Sequence, residues 1–132
     1  MNYEIEQEII DQFIIKSLRP RTIFELKSAK KRNNCLWNLD TKFDNNYIID
    51  VGKSVDSYKI IWEIFENNGA KSMYDCYLMS LDGNKIMPIE KALKENIFKG
   101  IFLVYWLKGK IAFWEGEQYS APPIYILKNE IK

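Results

Sequence analysis

The run IFLVYWL, residues 101–107, limits the possible folds of this chain more than any other stretch. It has the length of a β-strand and falls well short of the roughly 18 apolar residues of a membrane span. Side chains alternate between the two faces of a strand. One face would carry Phe102, Val104 and Trp106, and the other Ile101, Leu103 and Tyr105. A strand that is apolar on both faces is typical of the centre of a sheet, so we predict a central strand here.

The first half of the chain has helical apolar spacing. We predict a helix over 2–19 that ends near Pro20, a second helical region over 21–39 with a break near Ser28, and a third helix over 57–68. Ser54 or Asp56 is positioned to cap the third helix, and Asn68-Gly69 to stop it. Residues 40–53 are predicted to be a loop around a short extended piece, YIIDV.

Extended patterns dominate the second half. The predicted order is a strand in MYDCYLMS, a turn at LDGNK, a short helix in PIEKALKEN, the central strand, a tight turn at 108–110, a return strand IAFWEGE and, after Pro122-Pro123, a last strand IYILK. We therefore predict a single α+β domain over 1–132. About three N-terminal helices would pack on one face of a mostly antiparallel sheet, with about four strands from the C-terminal half.

Composition excludes several function classes. The chain has 132 residues, is 47% hydrophobic and contains no histidine, which rules out a Ser-His-Asp triad within it. The formal net charge of +1 gives no overall field for nucleic acid or an anionic membrane. Cys35 and Cys76 are too few for a structural zinc site. They are expected to be buried free thiols, with a disulfide as the alternative.

No cofactor is predicted, because the glycines form neither a dinucleotide-binding nor a P-loop motif, and Asp82 lacks the spacing of a calcium loop. The acidic, amphipathic N-terminus lacks the features of a signal peptide. We therefore expect a cytoplasmic protein that does not bind a membrane.

The segment KIAFWEGEQY, residues 110–119, places two carboxylates next to aromatic rings. Glu115 and Glu117 are two apart on the predicted return strand, so both would point to one face. Carboxyl groups about 5 to 5.5 Å apart are typical of retaining glycosidases. A small enzyme is therefore one alternative, with Glu115 as base or nucleophile and Glu117 or Asp75 as partner. We favour solvated carboxylates at a strand end near Gly116, available to a basic partner.

A basic stripe lies within the second helical region. Lys27, Lys30 and Lys31 have the i, i+3, i+4 spacing of one helix face, and Arg32 extends it. A solvated surface is the favoured interpretation. Contact with a partner protein is a second, and contact with nucleic-acid phosphates a third.

The C-terminal half is rich in aromatic residues, among them Trp106, Trp114 and Tyr119. If one sheet face were uncovered, these rings would form an apolar surface of the kind that anchors partners. A core covered on both faces is the favoured alternative.

Several of these motifs together resemble a family of small uncharacterised bacterial proteins. They are the segments 67–100, KGKIAFWEGE and IYILK, with FIIKSLRPRTIFELKSAKKR near the N-terminus. The hallmark of that family is a Gly-Lys-x-Ala-aromatic-aromatic-Glu hairpin. This chain departs from the pattern at Asp40, where the family has a histidine. The family has no established activity, so the resemblance implies a fold rather than a function.

The function that we predict is binding of a protein partner without catalysis. Its most concrete form is an immunity protein that neutralises a cognate bacterial toxin domain, as a monomer or homodimer. The expected contact residues are Lys27, Lys30, Lys31, Arg32, Trp106, Trp114, Glu115, Glu117 and Tyr119. The alternatives are the carboxylate enzyme and a nucleic-acid module that uses residues 27–32, although nucleic acid is the less favoured partner.

Overall fold

The computed structural model describes residues 2–53, 58–117 and 122–129. In chain order the helices are α1 (Tyr3–Phe13), α2 (Arg19–Lys27), α3 (Arg32–Trp37), α4 (Tyr58–Asn67) and α5 (Ile89–Asn96). The strands are β1 (Ile48–Lys53), β2 (Asp75–Ser80), β3 (Gly83–Pro88), β4 (Phe102–Trp106), β5 (Ile111–Glu115) and β6 (Pro123–Lys128). Short 3₁₀ turns occupy Lys16–Leu18, Leu39–Lys42 and Asn45–Tyr47. The predicted α+β class is confirmed.

The strands form one antiparallel sheet in the order β1-β6-β5-β4-β2-β3. The predicted number of four strands is wrong, because the described residues alone form a sheet of six strands. The predicted turn LDGNK is shorter than expected. Gly83, at φ 125°, lets the chain reverse at once, so Asn84 and Lys85 join the ladder with β2. The extended piece near Ile48 also becomes a full strand by pairing with β6.

Helices cover both faces of the sheet, so the prediction that they pack on one face is wrong. On one side, α1, α2 and α3 form a core with Leu103 and Tyr105, which we call the α1–α3 core. On the other side, α4 and α5 pack on Phe102, Val104 and Trp106 in the α4–α5 core. The predicted division of β4 between two faces is confirmed, as is a sheet covered on both sides.

The first helix is shorter than predicted. Asn2 caps α1 by accepting a hydrogen bond from the Ile5 amide at 3.1 Å. The chain leaves the helix at Ile14, which is extended and forms an isolated antiparallel bridge with Phe43. This tertiary pairing overrides the helical spacing, which continues to Leu18 in the sequence. Residues 54–57, which contain both predicted caps of the third helix, lie outside the described residues.

The two cysteines are buried in different cores, with the sheet between them. Both are free thiols, as favoured from the sequence. Burial raises the pKa of Cys35 to about 11 and that of Cys76 to about 12. Neither thiol therefore has the depressed pKa of a reactive cysteine.

Candidate functional site

Glu115 is a structural group in this fold. Its carboxylate is completely buried and accepts hydrogen bonds from the Phe98 amide at 2.9 Å and 3.2 Å. Phe98 has a φ of 65°, which costs free energy for a residue with a side chain. Glu115 thus fixes the turn after α5. The expectation of a solvated carboxylate that can reach a partner is wrong for Glu115, because none of its surface is open.

Glu117, a carboxylate proposed to act together with Glu115, lies outside the strand. β5 ends at Glu115, and Glu117 is half-buried in the bend that follows. The two carboxylates therefore do not share a strand face as predicted. Tyr119, the third expected contact residue here, lies outside the described residues.

The basic stripe does not run along one helix. The predicted break near Ser28 is confirmed: α2 ends at Lys27, and Lys30 and Lys31 lie in the turn before α3. All three lysines are exposed. The Lys27 ammonium is 5.8 Å from the ring centre of Tyr3, and that of Lys31 is 5.3 Å from the ring centre of Phe24.

Arg32, the fourth member of that stripe, is buried, so its predicted place on the surface is wrong. Its guanidinium forms a two-pronged ion pair with Glu6, at 2.7 Å and 2.5 Å, and donates to the Leu26 carbonyl at 2.8 Å. Glu6 has no exposed surface. This carboxylate also accepts a hydrogen bond from the Tyr77 hydroxyl. The group therefore joins α1, α3 and β2 through the interior.

The buried charges affect the groups around them. Burial by itself would lower the pKa of Arg32. The hydrogen bond to Glu6 and the negative charge of Glu6 outweigh burial, so the pKa of Arg32 is raised. Burial, together with the hydrogen bond to Glu6, raises the pKa of Tyr77 to about 12. Tyr77 is therefore a neutral donor to this carboxylate at physiological pH.

A second tyrosine is tied to α1 in the same way. The Tyr105 hydroxyl donates to Glu8 at 2.8 Å and accepts from the Gln12 amide at 3.0 Å. Tyr105 stands directly opposite Tyr77 in the β2–β4 ladder. α1 therefore holds this pair of strands together through two tyrosine hydroxyls.

The Tyr77–Tyr105 pair is also where the two strands separate. The β2–β4 ladder runs from Ser80–Phe102 to Tyr77–Tyr105 and does not continue to Cys76 and Trp106. Both strands keep their outer partners there, since Cys76 pairs with Met87 and Trp106 with Ile111. The sheet therefore opens between β2 and β4, and we call this opening the β2–β4 split.

An open groove of about 670 Å³ occupies the split. Its lining, mostly apolar, comprises Ile5, Gly69, Tyr74, Asp75, Cys76, Tyr77, Ile86, Tyr105, Trp106, Leu107 and Lys108. Ile86 is 59% exposed and Leu107 46% exposed. Asp75 and Lys108, both exposed, add one charge of each sign. Grouped apolar side chains of this kind mark interaction sites on protein surfaces.

Trp106 forms a fixed part of this groove. Its indole stacks with the Tyr74 ring at a centroid distance of 5.9 Å. It also lies against Gly109 so closely that a Cβ at that position would overlap the ring. Trp106 is mostly buried, so little of its indole is open to a partner. Such a wall is preorganised, which reduces the entropy lost when a partner binds.

Trp114 is not on the surface, and its predicted contact with a partner is wrong. It lies in the α1–α3 core, and its indole nitrogen donates to the Leu36 carbonyl at 3.1 Å. Phe43 and Tyr125 pack against it, with centroid distances of 6.1 Å and 5.9 Å. The aromatic surplus of the sequence is therefore mostly core.

A second depression, of about 680 Å³, lies beside α5. Its lining mixes both signs of charge: Glu90, Lys91, Lys94, Glu95 and Lys99. It also contains Met73, which is 73% exposed. Because both signs of charge are mixed there, this surface does not favour a ligand of one sign.

Of the predicted contact residues that the structure describes, only Trp106 lines the groove, and the lysines lie elsewhere. Sequence reasoning did not identify Ile86 and Leu107. The signal for Ile86 was an apolar residue beside polar ones in NKIMP. The signal for Leu107 was its position at the end of the apolar run IFLVYWL.

Among residues 2–53, 58–117 and 122–129, no group of three His, Cys, Asp or Glu side chains is placed to hold a metal ion. Within these described residues, no helix is long and apolar enough to cross a membrane. Comparison of the chain with known protein families, curated proteins and solved structures found no match. The resemblance in the C-terminal motifs therefore stays a prediction.

Proposed function

We propose that this chain is a protein-binding domain, most concretely an immunity protein that binds and neutralises a cognate bacterial toxin domain. The observation that carries the proposal is the groove at the β2–β4 split, with exposed Ile86 and Leu107 beside the fixed Trp106. A partner that covers these side chains removes apolar surface from water, which is the main favourable term in protein association.

The size of the groove suits a hot spot rather than a whole interface. Full burial of an isoleucine or leucine side chain is worth about 1.5 to 3 kcal/mol, and Ile86 and Leu107 are about half exposed before binding. Covering the two would therefore contribute roughly 2 kcal/mol in total. That is the free energy of a typical hot-spot residue, surrounded by weaker contacts.

The exposed lysines add a second surface that suits an acidic region of the same partner. Lys27 and Lys31 lie over Tyr3 and Phe24, and Phe24 is itself exposed. Charges at the rim of an interface mainly increase the rate of association and its dependence on salt. In this proposal the groove supplies affinity, and Lys27, Lys30 and Lys31 steer the partner.

Co-expression with the product of the neighbouring gene tests the proposal. We expect that product to contain a domain that arrests growth when expressed alone, and this chain to restore growth and copurify with it. A neighbouring product that is harmless, or that does not copurify, would contradict the immunity function.

A further inference from the structure

We infer that the β2–β4 split binds one extended segment of the partner's polypeptide, which adds to the sheet as a strand between the separated ends. This inference rests on the proposed function and names the part of the partner that the groove recognises. Strand addition is a common mode of peptide recognition, in which main-chain hydrogen bonds give affinity and alternate side chains give specificity.

The register of the two strands supports the inference. If the ladder continued past Tyr77–Tyr105, Cys76 would face Trp106 and Asp75 would face Leu107. All four of these residues line the groove instead. The groove therefore occupies the place that the missing rungs of the ladder would fill.

Main-chain groups face this space. In an antiparallel ladder, the amide and carbonyl of every second residue point toward the same neighbouring strand. The Tyr74 carbonyl accepts from the Ile89 amide of the β3 side, so the alternate residue Asp75 directs its amide and carbonyl to the opening. On the other wall the same alternation places the main-chain groups of Leu107 opposite Asp75, and the Leu107 carbonyl already accepts a hydrogen bond from the Lys110 amide at 3.2 Å. The β2 wall therefore offers the Asp75 donor and acceptor to an incoming strand.

The side chains of the groove suit a segment with apolar residues at alternate positions. Tyr74 and Trp106 stack on the side of the α4–α5 core. Ile86 is paired with Tyr77, on the side of the α1–α3 core. Successive side chains of an inserted strand would point to these two sides in turn. Both sides are apolar, so the preferred segment has apolar residues on both faces of the inserted strand.

The free edge of β3 is a poorer place for strand addition. β3 carries exposed Lys85 and ends at Pro88. A lysine and a proline on an edge strand are devices that prevent pairing with another chain. The split has no such residue on its β2 wall, since Asp75 and Cys76 both keep a backbone amide.

Amide hydrogen exchange, measured by NMR on this chain with and without the toxin domain of the neighbouring gene, tests the inference. We expect exchange at the Asp75 and Leu107 amides to slow by about tenfold or more in the complex, the effect of one new hydrogen bond at each. A proline scan through the partner segment that gains protection should weaken binding by about tenfold at alternate positions.

The outcomes separate the two proposals. If no complex forms, the immunity function fails and the strand inference fails with it. If a complex forms and Ile86→Lys weakens it, but exchange at residues 75 and 107 is unchanged, the groove binds side chains only. That result overturns strand addition and leaves the protein-binding function intact.

Discussion

Replacing Arg32 with methionine is expected to lower the free energy of unfolding by about 3 to 5 kcal/mol, the cost of removing one partner from a buried ion pair. The reason is that Glu6 is fully buried and its two carboxylate oxygens accept hydrogen bonds from the two terminal nitrogens of the guanidinium. Without Arg32, the Tyr77 hydroxyl is the one side-chain donor to that carboxylate that remains among the described residues. Chemical denaturation of the wild-type and variant proteins measures the difference.

Two further variants make this test specific. Lys30→Met removes an exposed positive charge nearby and should change stability by less than about 0.5 kcal/mol. The double variant Glu6→Leu with Arg32→Met removes both charges and should recover much of the loss, because apolar residues replace buried pairs at little cost. A loss below about 1 kcal/mol for Arg32→Met would show that the pair is not buried as described.

Replacing Trp114 with alanine should cost about 3 to 5 kcal/mol, the usual range for a fully buried tryptophan. The indole fills the space between Phe43 and Tyr125 and satisfies the Leu36 carbonyl. The deletion leaves a cavity and removes the indole hydrogen bond to that carbonyl, and both effects have the same sign. Thermal and denaturant unfolding measure the loss.

Trp114→Phe separates the two contributions, since it keeps an aromatic ring and removes the indole donor to Leu36. It should cost clearly less than Trp114→Ala. Trp37→Ala is the control, because that indole is exposed at the end of α3. Equal losses for Trp37→Ala and Trp114→Ala would contradict the assignment of Trp114 to the core.

The sequence was sufficient to predict the centre of this fold. A strand that is apolar on both faces needs cover on both, so residues 101–107 identify the central strand and favour a sheet covered on both sides. The placement of the helices on one face was wrong, because α4 and α5 pack on the side opposite α1, α2 and α3. The hairpin to β5 followed from its turn residues. β3 was missed, because GNKIMP has no strict alternation and joins the sheet only through pairing with β2.

The errors at individual residues have a common cause, which is contact between residues distant in sequence. Arg32 belongs to a basic run, and nothing local shows that its partner is Glu6, 26 residues earlier. Glu115 follows an aromatic pair, and nothing local shows that its carboxylate meets the Phe98 amide. In both cases the sequence indicates exposure by composition, while burial depends on tertiary contacts.

The groove could not be predicted for a similar reason. It exists because the β2–β4 ladder stops at Tyr77–Tyr105 while both strands keep their outer partners. Sequence patterns predict that a strand exists far better than they predict which rungs of a ladder form. Ile86 and Leu107 acquire their role from that register alone.

The dissociation constant of the complex with the toxin domain, measured for Ile86→Lys beside Ile60→Lys, is the most direct test that this groove binds the partner. The two isoleucines match in exposure, at 59% and 51%, and Ile60 lies on α4 and does not line the groove. Ile86→Lys removes about 1 kcal/mol of apolar burial and also brings a charge into the interface. We therefore expect it to weaken binding by about 2 kcal/mol, roughly thirtyfold, and Ile60→Lys to leave it within about twofold. Equal effects of the two substitutions, or tight binding by Ile86→Lys, would contradict the groove as the binding surface.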